Sequence, residues 1–206
     1  MAFSSWLWFL TPGFWLLTAD FSPFILHPSP FPLQLPPPFL SHPEYLTHYG
    51  WMARSLELSA AAGAAGDVPV GAVIVGPQGE VIAEAENRRE RDRDPTAHAE
   101  VLALRAAGQV LQNWHLNECT LYVTLEPCPM CAGAILQARL GLLVYGADDP
   151  KTGAVRTVMN LPDSACSFHP LKVLGGILET PCRRQLQDWF AERRRSRHPT
   201  GSASTS

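Results

Sequence analysis

Apolar positions change their period several times along the chain, and each change marks an element. From Glu44 to Ala62 they recur at helical spacing (Tyr45, Tyr49, Met52, Leu56), which predicts a first helix. Val70-Gly71-Ala72-Val73-Ile74-Val75 is short, rich in β-branched residues and almost uniformly apolar, as a strand covered on both faces would be. Gly76-Pro77-Gln78-Gly79 reads as a turn, with Val81 to Ala85 returning as the neighbouring strand. Further on, the pattern predicts a helix over Val101 to Ala107, a strand over Leu121 to Leu125 and a helix over Met130 to Arg139. Leu142 to Tyr145 and Leu171 to Leu174 read as two more strands. Thr180-Pro181 opens a last helix, with threonine as its cap and proline at its first position. Strands alternating with helices of this length imply an α/β fold, a three-layer α/β/α sandwich around five strands.

The pattern breaks near residue 43. Before it stand Trp6, Trp8, Trp15, seven of the nine phenylalanines and, counting Pro43, nine of the nineteen prolines. No lysine or arginine precedes Arg54, so the charged start of a signal peptide is missing. A membrane helix needs about 18 unbroken apolar residues, and Pro12-Gly13 and Pro23 interrupt this run. The triplet Pro36-Pro37-Pro38 favours extended chain. Residues 1–43 are therefore expected to be an unstructured extension, 44–197 the folded domain and 198–206 a disordered polar tail.

Bulk composition narrows the possibilities only a little. A net charge of -3 does not advertise a nucleic-acid binder, so any such role must rest on a local patch. Arg183 to Arg197 holds six arginines against Asp188 and Glu192, and Arg88, Arg89, Arg91 and Arg93 form a second cluster. Either could meet phosphates; either could equally be a solvated helix end. Five cysteines without a regular framework argue for a reducing, cytoplasmic setting, where a close pair binds metal or does chemistry. Cys119, Cys166 and Cys182 are isolated and expected to be ordinary small hydrophobes.

The close pair is Cys128 and Cys131, in Glu126-Pro127-Cys128-Pro129-Met130-Cys131 directly after a strand. Pro129 suits the first helical position, which makes Cys128 the cap and sets Cys131 one turn on. Unpaired N–H groups and the helix dipole favour thiolate there, the form that binds metal. The other segment is Pro95-Thr96-Ala97-His98-Ala99-Glu100, with Asp94-Pro95 as its expected cap and first helical position. Side chains of a first turn lean towards the N-terminus, so His98 and Glu100 can both reach a site beyond the helix end. One histidine and two thiolates make three ligands for Zn2+ and leave the fourth tetrahedral position open, the mark of a catalytic site. Zinc lowers the pKa of bound water from 15.7 to about 7, worth roughly 12 kcal/mol in forming hydroxide. Glu100 is then the natural general base, and later the acid. A redox pair would leave Pro127 and the histidine–glutamate segment as coincidence. A structural zinc would need a fourth ligand, for which Cys119 and His115 are nearest in sequence.

Histidine-x-glutamate followed by proline-cysteine-x-x-cysteine is the signature of zinc nucleobase deaminases. From Glu44 to Arg195 the chain resembles bacterial tRNA-specific adenosine deaminases, of the cytidine deaminase superfamily. The likeness lies in Val68 to Val73, Asp94 to Glu100, Thr120 to Gly133 and Gly146 to Ala154. The first three stretches are shared with guanine, cytosine and nucleotide deaminases; Leu125 and the run from Lys151 to Ala154 look more like the tRNA branch. The resemblance implies a mixed central sheet, and hydrolytic conversion of adenosine to inosine at the wobble position of a tRNA anticodon by a cytoplasmic homodimer. Zinc-activated hydroxide would attack C6, with Glu100 as proton shuttle. It also implies that Asn87 holds the target nucleotide, that Asp149 faces the anticodon backbone, and that Phe190 lies on a helix touching the anticodon loop. Asp148 stands where many relatives carry a basic residue, and residues 1–43 have no counterpart. The rival readings are a deaminase of free guanine, cytosine or dCMP, and a zinc module that binds RNA without catalysis.

Overall fold

In the computed structural model, residues 43–197 are described; the expectations for residues 1–42 and 198–206 lie outside them. The elements run α1 (Pro43–Ala64), β1 (Gly71–Val75), β2 (Val81–Glu86), α2 (Arg89–Asp92), α3 (Ala99–Leu111), β3 (Thr120–Leu125), α4 (Pro129–Gln137), β4 (Leu142–Ala147), β5 (Lys172–Gly175) and α5 (Glu179–Arg197). All five residues of β1 are buried. Side chains alternate across a strand, so its two faces feed two separate cores. Ala72 and Ile74 pack with Leu121, Val123, Leu143 and the α3 and α4 side chains Ala103, Leu104 and Ile135. Val73 and Val75 pack with Tyr122, Val144 and, from α1 and α5, Met52, Leu56 and Cys182. Helices thus cover both faces of the sheet, as the three-layer reading requires.

The sheet order is β2-β1-β3-β4-β5. β1 pairs antiparallel with β2 and β3, whereas β3–β4 and β4–β5 are parallel, so the sheet is mixed. Between the parallel strands β3 and β4 the chain crosses over through α4. Both ligand-bearing segments are consequently brought to one end of the sheet, at the C-terminal tip of β3 and the N-terminus of α3.

Two local expectations are corrected. Helix α3 begins at Ala99 rather than at Pro95. The Asp94 carboxylate instead accepts the N–H and hydroxyl of Thr96, each at 2.7 Å, and closes a tight turn before the helix. Helix α5 begins two residues early, at Glu179 rather than Pro181: Cys182 N–H donates to Leu178 O, closing the first turn. Pro181 therefore sits inside that turn, where its missing N–H costs no helical bond. Cys166 is exposed, unlike the buried Cys119 and Cys182. Helix α2 had no apolar periodicity to announce it. It forms because Asp67, fully buried, accepts from Glu90 N–H at 2.6 Å and from Arg91 Nε at 2.7 Å.

Candidate active site

His98 and Cys128 occupy the same structural position in two different helices. Each is the residue just before a helix, α3 and α4 respectively, with extended backbone (ψ 149° and 172°). Neither side chain caps its own helix, so each is free to face outward past the helix start. Pro129 holds the first position of α4, as expected, and Cys131 lies in that first turn. The Nδ1 of His98 is 3.8 Å from Cys128 Sγ and 3.5 Å from Cys131 Sγ. All three ligand atoms lie within 4.8 Å of one another, the only such group among the described residues. A nitrogen and two sulfurs so close together are the donor set of tetrahedral zinc, and two helix N-termini add positive potential where thiolate must form. Cys119 and His115, the alternative fourth ligands, do not join this group.

Electrostatics divide the roles. Contact with the Cys131 thiol, and then with His98, brings Cys128 down to about 4, against the opposing effect of burial. Cys131 moves the other way, pushed up by its contact with Cys128 and by burial. The Cys128 sulfur in turn raises His98 above its ordinary value. Glu100, in the first turn of α3, is almost fully buried, and burial raises its pKa. A carboxyl so placed holds a proton more readily than an exposed one, as a group that carries protons must.

These groups open on a cavity of about 120 Å³ whose lining includes Asn87, His98, Glu100, Cys128, Asp149 and Thr152. Asn87 is buried just past β2, and its Nδ2 donates to Val68 O at 3.1 Å. That bond fixes the amide and leaves Oδ1 buried without a partner among the described residues. An unmatched buried acceptor costs about 1–3 kcal/mol, so this one calls for a donor from a bound molecule.

The remaining expected residues are placed differently. Asp149 lines the cavity, but its carboxylate already accepts Lys151 N–H at 2.9 Å and the Thr152 hydroxyl at 2.6 Å. Phe190 is 43% exposed on α5, edge-on to Trp189, and is not part of the cavity lining. Most of the Arg88–Arg93 cluster is spent internally: Arg88 pairs with Asp92, Arg89 with Glu90, and Arg91 with Asp67 and Glu86. On α5, by contrast, Arg184, Arg194 and Arg195 are exposed without an ion-pair partner among the described residues.

Glu126 has no expected role, yet it is buried at the cavity wall. Its carboxylate accepts N–H groups from Asp149, Val155, Arg156 and Thr157, and the Thr157 hydroxyl. Burial pushes its pKa up, but these bonds, led by Thr157, outweigh that and hold it below the usual carboxylate range. One acidic residue ending an apolar strand carries no periodic signal, and its partners lie more than twenty residues away in sequence.

A buried glutamate beside one imidazole and two cysteine sulfurs, at the wall of one cavity, is the arrangement of a deaminase. The family model for MafB19-like deaminases matches residues 46–179. A tRNA-specific adenosine deaminase of Haemophilus influenzae is 46% identical over 143 residues, covering 69% of this chain and 83% of the relative. A solved structure from studies of A-to-I editing by tRNA deaminases at the wobble position superposes with a TM-score of 0.65. It is 41% identical and covers 66% of this chain and 99% of its own. The guanine deaminase of Nitrosomonas europaea is more distant, at 26% identity and a TM-score of 0.59, covering 76% of this chain and 94% of its own. The chain belongs to the tRNA-specific adenosine deaminase family.

Proposed function

We propose that this chain hydrolyses adenosine to inosine and ammonia at the wobble position of a tRNA anticodon, within a catalytic unit spanning residues 44–197. The observation that carries the reading is one cavity lined by His98 and Cys128 of the three-residue donor set, by the buried Glu100 and by Asn87, whose Oδ1 has no partner among the described residues. Zinc held by the three donors supplies the Lewis acidity that makes water a nucleophile near neutral pH. Glu100 takes one proton from the attacking water and delivers it to the purine ring, then takes the proton of the newly added hydroxyl and delivers it to the departing amine as ammonia leaves. Asn87 Oδ1 accepts a hydrogen bond from the target nucleotide and fixes its orientation. Asp149, at the rim, faces the anticodon backbone through its turn. The exposed Arg184, Arg194 and Arg195, with Phe190 on the same helix, offer phosphate contacts and a stacking surface for a loop.

Support for the RNA substrate comes from the similarity to the tRNA-specific relatives, whose identity well exceeds that to the guanine deaminase. No described helix is long and apolar enough to cross a membrane. The cytoplasm and a homodimer complete the proposal.

The test is parallel incubation with anticodon stem-loop RNA and with free guanine, cytosine and dCMP, reading inosine and ammonia. Inosine in the RNA arm alone is expected; turnover of a free base alone would overturn the assignment. Glu100→Ala should keep stoichiometric zinc and lose at least about 10²-fold in rate. Retained activity would favour a binding module over an enzyme.

A further inference from the structure

The segment from Asp148 to Thr157 has no helix or strand of its own, yet it carries Asp149 and Thr152 into the cavity wall. Irregular backbone of this kind holds a fixed position only if its polar groups are bound elsewhere. Most of its hydrogen-bonded backbone N–H groups donate to the segment between β3 and α4. Pro127 O accepts Ala154 N–H at 2.9 Å, and Glu126 N–H donates to Ala147 O at 2.8 Å. The Glu126 side chain supplies the rest. Oε1 accepts from Val155 (3.2 Å), Arg156 (2.7 Å) and Thr157 (2.9 Å). Oε2 accepts from Asp149 N–H at 3.1 Å and from the Thr157 hydroxyl. Both ends of the loop are thereby tied to a single carboxylate, two residues before the Cys128 ligand.

We propose that Glu126 is a positioning residue for the deamination reaction, whose carboxylate sets the distance between the metal-ligand segment and the Asp149–Thr152 wall of the substrate cavity. The proposal rests on the deaminase reading above. Its geometry allows little substitution. A Cβ on Gly153 would come 2.2 Å from Glu126 Oε2 and 2.6 Å from Asp149 O, so the loop closes over the carboxylate only because residue 153 is glycine. An amide in place of the carboxylate cannot serve both ends. With its oxygen towards Val155, Arg156 and Thr157, its NH₂ confronts the Asp149 N–H, donor against donor. The Thr157 hydroxyl can turn and accept from that NH₂; the Asp149 N–H cannot. The Asp149 end of the loop is therefore the end that lets go.

Glu126→Gln is compared with the wild type in the zinc-loaded full chain by amide hydrogen exchange and by steady-state kinetics on anticodon stem-loop RNA. Faster exchange at Asp149 is expected, with protection kept at Val155 and Thr157 and zinc still stoichiometric. KM should rise by about tenfold or more, with kcat changed less than KM, because the wall is displaced while the reacting groups stay in place. Unchanged protection at Asp149, or an unchanged KM, would overturn the proposal. So would a uniform loss of protection accompanied by a normal kcat/KM per folded molecule, since that describes structural support alone. Should Glu126→Gln fail to fold, Gly153→Ala displaces the same loop from its other side and must raise KM in the same way, while Thr157→Ser, which keeps the hydroxyl, must not. The exchange measurement needs no substrate, so a wild type inactive on RNA would defeat the functional reading and leave this one still decidable.

Discussion

His98 and Cys128 show how much a single backbone position can accomplish. Each stands one residue outside a helix, where the side chain makes no cap bond to its own helix and the exposed N–H groups favour negative charge. Proline after Cys128 made its position legible in sequence. Nothing comparable marked His98, so its helix was expected to begin at Asp94-Pro95, whereas the Asp94–Thr96 turn delays the start to Ala99. His48 illustrates a residue whose role is stability rather than chemistry. Its Nδ1 lies 2.9 Å from the Tyr122 hydroxyl, between α1 and β3, and burial lowers its pKa while Glu44 partly opposes. The neutral ring accepts the tyrosine proton. A folded pKa below the unfolded value of about 6.5 means stability that is present above that pH and lost as pH falls through the folded pKa. Thermal melts should therefore show the wild type losing more Tm than His48→Gln between about pH 7.5 and pH 5. Equal slopes for the two proteins would count against this assignment.

At the scale of elements, the helix–sheet spacing is set where α1 crosses β1. Gly71 has ordinary backbone angles, but a Cβ there would lie 2.2 Å from Ser55 O and 2.6 Å from Ser59 N. Both atoms belong to the α1 backbone, which cannot yield as a flexible side chain would. Gly71→Ala should accordingly cost about 1–3 kcal/mol by pushing α1 off the sheet. Urea denaturation will measure this, and a change below about 0.5 kcal/mol would show that the contact relaxes freely. Strands β1, β3 and β4 were legible because burial on both faces writes itself as an unbroken apolar run. The segment from Asp148 to Leu171 was not, since its order comes in part from Glu126 and His169 bonds to distant backbone.

For the whole molecule, the open question is how it assembles. Val110, Leu111 and Trp114 remain exposed at the end of α3, as do Val158, Met159 and Phe168 after the active-site loop. Large apolar groups left in water favour association, in line with the homodimer proposed above. Sedimentation equilibrium should give twice the chain mass, independent of RNA. A monomer at micromolar concentration would remove that part of the proposal. Charge is also arranged at this scale. The Arg88–Arg93 cluster closes on acidic neighbours, while α5 keeps unpaired arginines, so the field offered to an RNA comes from one helix rather than two.

By itself the sequence determined the elements other than the short α2, the layering and the residues of the candidate metal site. Periodicity reports burial, and the Cys-Pro-x-Cys spacing writes a helix start directly into the chain. It also singled out Glu100 as the candidate proton carrier, because its place two residues from His98 is local information. Tertiary structure alone decided what depends on groups far apart in sequence. It left Asn87 Oδ1 without a partner inside the cavity, folded the Asp149 carboxylate into its own turn, and spent the first arginine cluster on internal pairs. It also made Glu126 the anchor of the loop that walls the site. Hydrogen bonds between distant segments have no period, and only the folded chain shows which groups they join.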